Sequence, residues 1–83
     1  MSYTVIVLRA AQKALAKVPA KDRQRITGTI QSLADNPRPH NSIKLTDSDF
    51  WRVRVGDYRI IYLIQDEQLI VTVTNVVNRK NAY

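Results

Sequence analysis

Three arginines are grouped in the second half of the chain, at spacings that a small sheet would bring together. Strict alternation in Phe50–Val55 predicts a strand that carries Arg52 and Arg54 on one face, roughly 7 Å apart. Arg59 follows them across Gly56-Asp57, so it is expected at the same edge of the sheet. Guanidinium groups bind phosphate oxygens through a planar fork of N–H donors, which favours a polyanion site. The same pattern is also typical of a solvated sheet face, and both interpretations stay open.

Length and composition exclude several classes of protein. The chain has 83 residues, a net charge of +6 and no cysteine. This length predicts one domain, residues 1–83, without an enclosed cofactor pocket. The absence of cysteine excludes a disulfide and a thiolate metal site, and we expect neither a metal nor a cofactor. No apolar run approaches the ~20 residues that cross a bilayer, and no secretory signal is visible, so we expect a cytoplasmic protein without membrane association.

The other conspicuous polar and aromatic residues have simpler interpretations. His40 lies in a proline-flanked loop without a nearby carboxylate pair, so it is expected at the surface rather than as a metal ligand or general base. The basic residues of the second predicted helix are interpreted as a solvated helix face, and the strand aromatics as core. These residues are Lys21, Arg23 and Arg25 in the helix, and Trp51, Tyr58 and Tyr62 in the strands. The acids after residue 50, which are Asp57, Asp66 and Glu67, all fall in predicted turns.

The first half of the chain predicts one strand and two helices. The β-branched run 3–8 is typical of a short buried strand. A helix is predicted from Ala10 up to Pro19, and a second helix follows, with one face marked by Ile26, Ile30 and Leu33. Gly28 lies in the middle of the second helix, where we interpret it as a point of close packing against the first helix.

The second half predicts three strands after an exposed connection over residues 37–49. The strands are Phe50–Val55, Tyr58–Gln65 and residues 68–77, and their short separations require antiparallel hairpins. Gly56 as the first central residue suits a type II′ turn. The order strand, helical hairpin, three-stranded antiparallel meander is an α+β fold with both helices on one sheet face.

The strand and tail motifs together resemble the RelE/ParE superfamily of toxin–antitoxin toxins. The resemblance is carried by WRVRV at 51–55, GDYRIIY at 56–62 and VVNRKNAY at 76–83, and it extends over nearly the whole chain. It implies the RelE/ParE-like fold and, for the RelE branch, an endonuclease that enters the ribosome and cuts the mRNA codon in the A site. It also implies a cognate antitoxin that holds the toxin inactive.

The resemblance also assigns the cleaving residues. They are two basic side chains on the strand before the tight turn, an arginine that begins the next strand, and an arginine and a tyrosine in the tail. The matching positions are Arg52, Arg54, Arg59, Arg79 and Tyr83. An arginine stays protonated at any relevant pH, so the arginines are expected to hold phosphate and stabilise charge, without a metal ion. Tyr83 is expected to stack on a base or relay a proton.

Two further functions are compatible with the same architecture. A ParE-like toxin would act on DNA gyrase by protein binding and would not need the arginine and tyrosine set. A catalytically inactive module would only capture an antitoxin segment. In all three cases we expect the antitoxin to cover the basic surface or displace the carboxy-terminal segment, using acidic residues and a helix laid in an apolar groove. The enzyme would have the mRNA-loaded ribosome as its second partner.

Overall fold

A computed structural model describes residues 2–79 as one sheet with two helices packed on it. The elements in chain order are β1 (Thr4–Val7), α1 (Arg9–Ala16), α2 (Ala20–Ser32), β2 (Ser42–Lys44), β3 (Phe50–Val55), β4 (Tyr58–Gln65) and β5 (Ile70–Asn78). The predicted α+β class, the helical hairpin and the three-stranded meander are confirmed. In the described part of the chain no helix is long and apolar enough to cross a membrane.

The sheet has the order β1-β5-β4-β3-β2. β3, β4 and β5 form the antiparallel meander, and β1 pairs with β5 in parallel. Gly56 has a φ of +58° at the β3–β4 turn, whereas Asp57 is not among the residues with positive φ. A positive φ at the first central residue alone agrees with the predicted type II′ turn and excludes type I′.

The prediction that residues 37–49 form a purely exposed connection is wrong, because this segment contains β2. Ser42–Lys44 pairs antiparallel with β3 and brings Ile43 opposite Arg52. Three residues are too few to show an alternating pattern, and β2 forms because the outer edge of β3 offers unpaired backbone groups. This edge strand adds a fifth strand to the sheet.

The core lies between one face of the sheet and both helices, as predicted. The helices and the residues that directly follow them contribute Ala11, Val18, Ile26, Ile30 and Leu33, and the strands contribute Val53, Ile60, Tyr62, Val71, Val73 and Val76. Apolar residues recur at a spacing of four in each helix, Ala11 and Leu15 in α1 and Ile26 and Ile30 in α2, so each helix packs one apolar stripe against the sheet. The other sheet face carries no helix among residues 2–79.

A bulge in β5 changes the alternation along that strand. Ile61 pairs with Asn75, but Tyr62 pairs with Val73, so Thr74 has no cross-strand partner. The hydroxyl of Thr74 donates to the carbonyl oxygen of Ile61 at 3.1 Å. Because the bulge inserts one residue, both Val73 and Val76 reach the core, and Val77 turns to the open face.

Gly28 does not mark close packing, contrary to the sequence-based expectation. A β-carbon built on Gly28 would meet no other atom within 4 Å, and the residue is exposed. The interpretation was wrong because a mid-helix glycine looks the same in sequence whether or not a neighbour requires it.

We expect Gly28→Ala to raise the free energy of unfolding by about 0.5–1 kcal/mol, because alanine loses less backbone entropy in a helix. The matched substitution Gly56→Ala is expected to lower the free energy of unfolding by about 1 kcal/mol. Gly56 has a positive φ, and the new β-carbon would lie 3.4 Å from Nη1 of Arg25. Urea denaturation of the two variants measures both values. Destabilisation by Gly28→Ala would contradict the open surroundings of this glycine.

Candidate functional site

The register of β3 and β4 brings three of the predicted arginines to one face of the sheet. Arg54 pairs directly with Arg59, and Arg52 pairs with Ile61 in the next row. Directly paired residues share a face, with β-carbons about 4.5–5.5 Å apart. Arg52 lies two residues before Arg54, roughly 7 Å along the strand. The predicted grouping of Arg52, Arg54 and Arg59 is therefore present on the open face, opposite the helices.

Arg79 lies at the same end of the sheet, close to the β3–β4 turn. Its backbone N–H donates to the carbonyl oxygen of Asp57 at 2.6 Å, and its side chain is exposed. This bond fixes where the chain runs after β5, one residue beyond the pair formed by Asn78 and Tyr58. The predicted Tyr83 lies outside the described residues.

The arginines differ in exposure, and the sequence did not indicate this. Arg54 and Arg79 are exposed, whereas Arg52 and Arg59 are half-buried. The Nε atom of Arg59 is shielded from solvent. The charge of a half-buried arginine is less screened by solvent than that of an arginine on a helix surface, so it acts more strongly on a bound anion.

The direct pairing of Arg54 with Arg59 concentrates positive charge on the open face of the sheet. Like charges directly opposite each other destabilise a sheet. Among the strand residues that the structure describes on this face, none has a carboxylate. An anion with several oxygens, such as a phosphodiester, could accept bidentate hydrogen bonds from these guanidinium groups. The arrangement can therefore orient a phosphate chain and stabilise added negative charge on it.

Exposed apolar residues lie on the same sheet face as the arginines, and they were not predicted from the sequence as part of the site. Ile6, Ile43 and Phe50 are 42%, 50% and 37% exposed. Phe50, Leu63, Thr72 and Ile6 form one row across the sheet. The alternation in β3 puts Phe50 on the same face as Arg52 and Arg54, so the sequence pattern could have identified Phe50 as a residue of this face. Ile43 was hidden because β2 was not predicted.

The residues interpreted as structural or solvated behave largely as expected. Tyr62 is fully buried, and Tyr58 and Trp51 are half-buried against the core. His40 and Lys21 are exposed. Arg25 is exposed too, but its Nη1 would lie 3.4 Å from a β-carbon on Gly56, so it contacts the turn next to the arginine group. No group of metal-ligating side chains occurs within residues 2–79.

A second polar cluster lies at the other end of the sheet, around the β4–β5 turn. Arg38 donates two hydrogen bonds to the carboxylate of Asp66, at 3.1 and 2.8 Å, and the hydroxyl of Tyr3 donates to the same carboxylate at 2.6 Å. The guanidinium of Arg38 also lies over the ring of Trp51, 5.3 Å from its centroid. These contacts connect the α2–β2 loop, the start of β1 and the β4–β5 turn, so the cluster is structural.

The carboxylate of Asp66 makes the stability of this cluster dependent on pH. Its hydrogen bonds from Arg38, and then from Tyr3, lower the pKa of Asp66 to about 2, and the bond to Asp66 raises the pKa of Tyr3. A carboxylate whose pKa is lower in the folded than in the unfolded chain stabilises the fold above the unfolded value, about 3.9. This stabilisation is lost as the pH falls through the folded value.

We therefore expect Asp66→Asn to lower the Tm at pH 6 and the difference from wild type to shrink between pH 4 and pH 2. Glu67→Gln is the matched control in the same turn, because Glu67 forms no ion pair in the described part of the chain. Thermal unfolding of the three proteins across this pH range measures the effect. A Tm difference that stays constant from pH 6 to pH 2 would contradict the role of the Asp66 charge.

Comparison with known proteins shows the family of this chain. Residues 5–83 match the family described as the ParE toxin of the type II toxin–antitoxin system parDE. A protein of Methanocaldococcus jannaschii named as toxin RelE1 is 26% identical over 87 residues, covering 100% of this chain and 97% of that protein.

Solved structures of RelE toxins have the same fold. The RelE–RelB complex of Pyrococcus horikoshii gives a TM-score of 0.86 at 28% identity and covers 99% of this chain and 100% of that one. The RelBE2 complex of Mycobacterium tuberculosis gives 0.85 at 26% identity, covering 95% of this chain and 100% of that one. A mutant of the Escherichia coli toxin RelE in the free state, at 23% identity, gives a TM-score of 0.80 over 99% of this chain and 88% of that one, and shows the fold alone. Because the family match extends over nearly the entire sequence, the chain belongs to the ParE toxin family and is a RelE/ParE superfamily toxin of a type II toxin–antitoxin system.

Proposed function

We propose that this toxin is a ribosome-dependent endonuclease that cleaves mRNA in the ribosomal A site. The observation that carries the proposal is the direct pairing of Arg54 with Arg59 on an open sheet face, with Arg52 in the next row. Three guanidinium groups in two adjacent rows can hold a single-stranded phosphate chain at two neighbouring positions. The similarity to RelE toxins supports the same activity.

The reaction proposed is in-line attack within the RNA. The 2′-oxygen forms a bond to the adjacent phosphorus, the bond from phosphorus to the 5′-oxygen breaks, and a 2′,3′-cyclic phosphate remains. The 2′-hydroxyl gives up its proton and the leaving 5′-oxygen takes one up. Arginines cannot exchange these protons near neutral pH, so they act by orienting the chain and stabilising the charge on the pentacoordinate phosphorus.

The residues have separate roles in this proposal. Arg59, which is half-buried, and Arg79 hold the oxygens of the scissile phosphate, while Arg52 and Arg54 position the flanking backbone. Tyr83 stacks on a base or relays a proton. The guanidinium charge takes the place of a metal ion, so the toxin itself needs none for the reaction. The ribosome supplies the substrate alignment that a small open sheet cannot supply by itself.

A cognate antitoxin is proposed to bind the open face of the sheet. This face combines the arginines with the exposed apolar residues Ile6, Ile43 and Phe50. A segment with acidic residues and one apolar face complements both features. The RelE structures from P. horikoshii and M. tuberculosis are complexes with antitoxins, which supports this partner. Toxin–antitoxin affinity that is unchanged from low to high salt would contradict the ionic share of the contact.

Primer extension on translated mRNA tests the proposed activity. Cuts in phase with codons that appear only when ribosomes are present are the expected result. The matching family is described as ParE toxins, so DNA damage without mRNA cuts would instead support action on DNA gyrase. Expression without an antitoxin that leaves growth and protein synthesis unchanged would indicate a catalytically inactive binding module.

A further inference from the structure

A row of basic residues follows the exposed side of α1, far from the arginines of the open face. Arg9, Lys13 and Lys17 are spaced four residues apart, and all three are exposed. Lys17 is the C-cap and keeps helical backbone angles, with φ −88° and ψ −7°, so the row extends along the whole helix. At a rise of 1.5 Å per residue, successive charges are about 6 Å apart and the row is about 12 Å long.

The basic row points away from the sheet. Ala11, on the opposite side of α1, is buried in the core, Leu15 packs against the core, and Val18 is buried just after the end of the helix. The helices cover one sheet face, and Arg54 and Arg59 lie on the other. The protein therefore carries two cationic surfaces on opposite sides of the sheet, and one anion site cannot include both.

The basic row brings like charges together along one side of the helix. Like charges four residues apart destabilise a helix, and Arg9 lies at the end where the helix dipole is positive. The first turn of α1 has no acidic residue. Within residues 2–79, none of the three basic side chains forms an ion pair with a carboxylate. Lys13 in the last turn and Lys17 at the C-cap lie at the negative end of the dipole, which favours them. The repulsion between charges four residues apart and the position of Arg9 at the positive end remain, and binding to a polyanion would offset both.

We infer that the exposed face of α1, with Arg9, Lys13 and Lys17, docks the toxin on the phosphate backbone of a double-helical RNA segment. The inference rests on the proposed function, in which this segment belongs to ribosomal RNA. A straight, rigid row of charges complements the regular backbone of an RNA helix, which proteins recognise by shape and phosphate contacts. The open sheet face then stays accessible to the single-stranded message.

Two double variants with the same loss of charge test the docking surface. Lys13→Gln/Lys17→Gln removes two charges of the basic row, and Lys21→Gln/Lys44→Gln removes two exposed charges elsewhere. Both are made in an Arg59→Ala background, and binding to mRNA-programmed ribosomes is measured by cosedimentation between 50 and 200 mM salt. We expect the first variant to bind at least about tenfold more weakly, with a salt slope lower by about 1.8, as for two lost phosphate contacts. The control should change less than about threefold.

Binding to isolated RNAs distinguishes a double-helical from a single-stranded ligand. The variant Lys13→Gln/Lys17→Gln should lose affinity for an isolated RNA hairpin duplex and keep its affinity for single-stranded RNA. If both double variants bound ribosomes equally weakly, the effect would be due to net charge alone, and the inference would be overturned. Lost affinity for the antitoxin with unchanged ribosome binding would overturn it in favour of an acidic protein.

The outcomes also separate the docking inference from the proposed enzyme. If the wild-type toxin cuts mRNA and the Lys13→Gln/Lys17→Gln variant binds ribosomes normally, the docking surface is wrong and the activity stands. If the wild-type toxin makes no cut but this variant still loses ribosome binding, the endonuclease proposal fails and the docking surface stands.

Discussion

Arg59→Ala is expected to lower ribosome-dependent mRNA cleavage by about 10²–10³-fold, and with it the toxicity of the expressed chain. Arg59 is half-buried and pairs directly with Arg54, so it is the guanidinium best placed to act on a phosphate from within the sheet. Loss of one preorganised donor to a developing anion has an effect of this size. Single-turnover cleavage of a programmed ribosome measures it.

Two controls show whether the effect belongs to the charge or to its geometry. Arg59→Lys keeps the charge but loses the planar fork, so its cleavage rate should lie between those of wild type and Arg59→Ala. Lys21→Ala removes one exposed charge from the helical side and should leave cleavage within about twofold of wild type, the scale expected away from the site. Full toxicity of a well-folded Arg59→Ala protein would remove Arg59 from the site.

Tyr62→Ala is expected to have the largest effect on stability, about 3–5 kcal/mol, as for other aromatic residues truncated in a core. Tyr62 is fully buried, and its hydroxyl donates to the carbonyl oxygen of Pro37 at 2.9 Å. Burial also raises the pKa of this phenol, so it stays protonated and keeps donating. An 83-residue domain has a total stability of about 4–12 kcal/mol, so this variant loses a large part of it.

Tyr62→Phe and Phe50→Ala are the controls for this variant. Tyr62→Phe keeps the ring and loses the hydrogen bond to Pro37, for which we expect about 1 kcal/mol. Phe50→Ala truncates an aromatic residue on the open face, 37% exposed, and should cost about 1 kcal/mol or less. Urea denaturation gives the three values. Similar losses for Tyr62→Ala and Phe50→Ala would contradict the assignment of the core to the helical side.

The sequence was sufficient for the features that depend on local periodicity. Alternation in β3 placed Arg52 and Arg54 on one face, and the short turn at Gly56 required a hairpin that brings Arg59 next to them. Both follow from rules that act within a few residues, because a strand has a period of two and a two-residue turn fixes the register.

The features missed from the sequence depend on contacts between distant segments. β2 forms only because the edge of β3 is available to it, and this brings Ile43 into the row of Arg52. Gly28 could be assigned to open space only once the neighbours of α2 were known. The half-burial of Arg59 likewise depends on its neighbours in β3 and β5.

By itself the sequence determined the α+β class, the meander and the shared face of three arginines, because hydrophobic period and turn chemistry are local. Only the tertiary structure decided where Arg79, the fourth arginine of the proposed site, lies. The bulge at Thr74 turns Val77 to the open face, and the bond from Arg79 to the carbonyl oxygen of Asp57 brings the chain beside the β3–β4 turn. A bulge re-aims the side chains that follow it, and its position depends on how β5 pairs with β4, which the sequence of either strand alone does not contain.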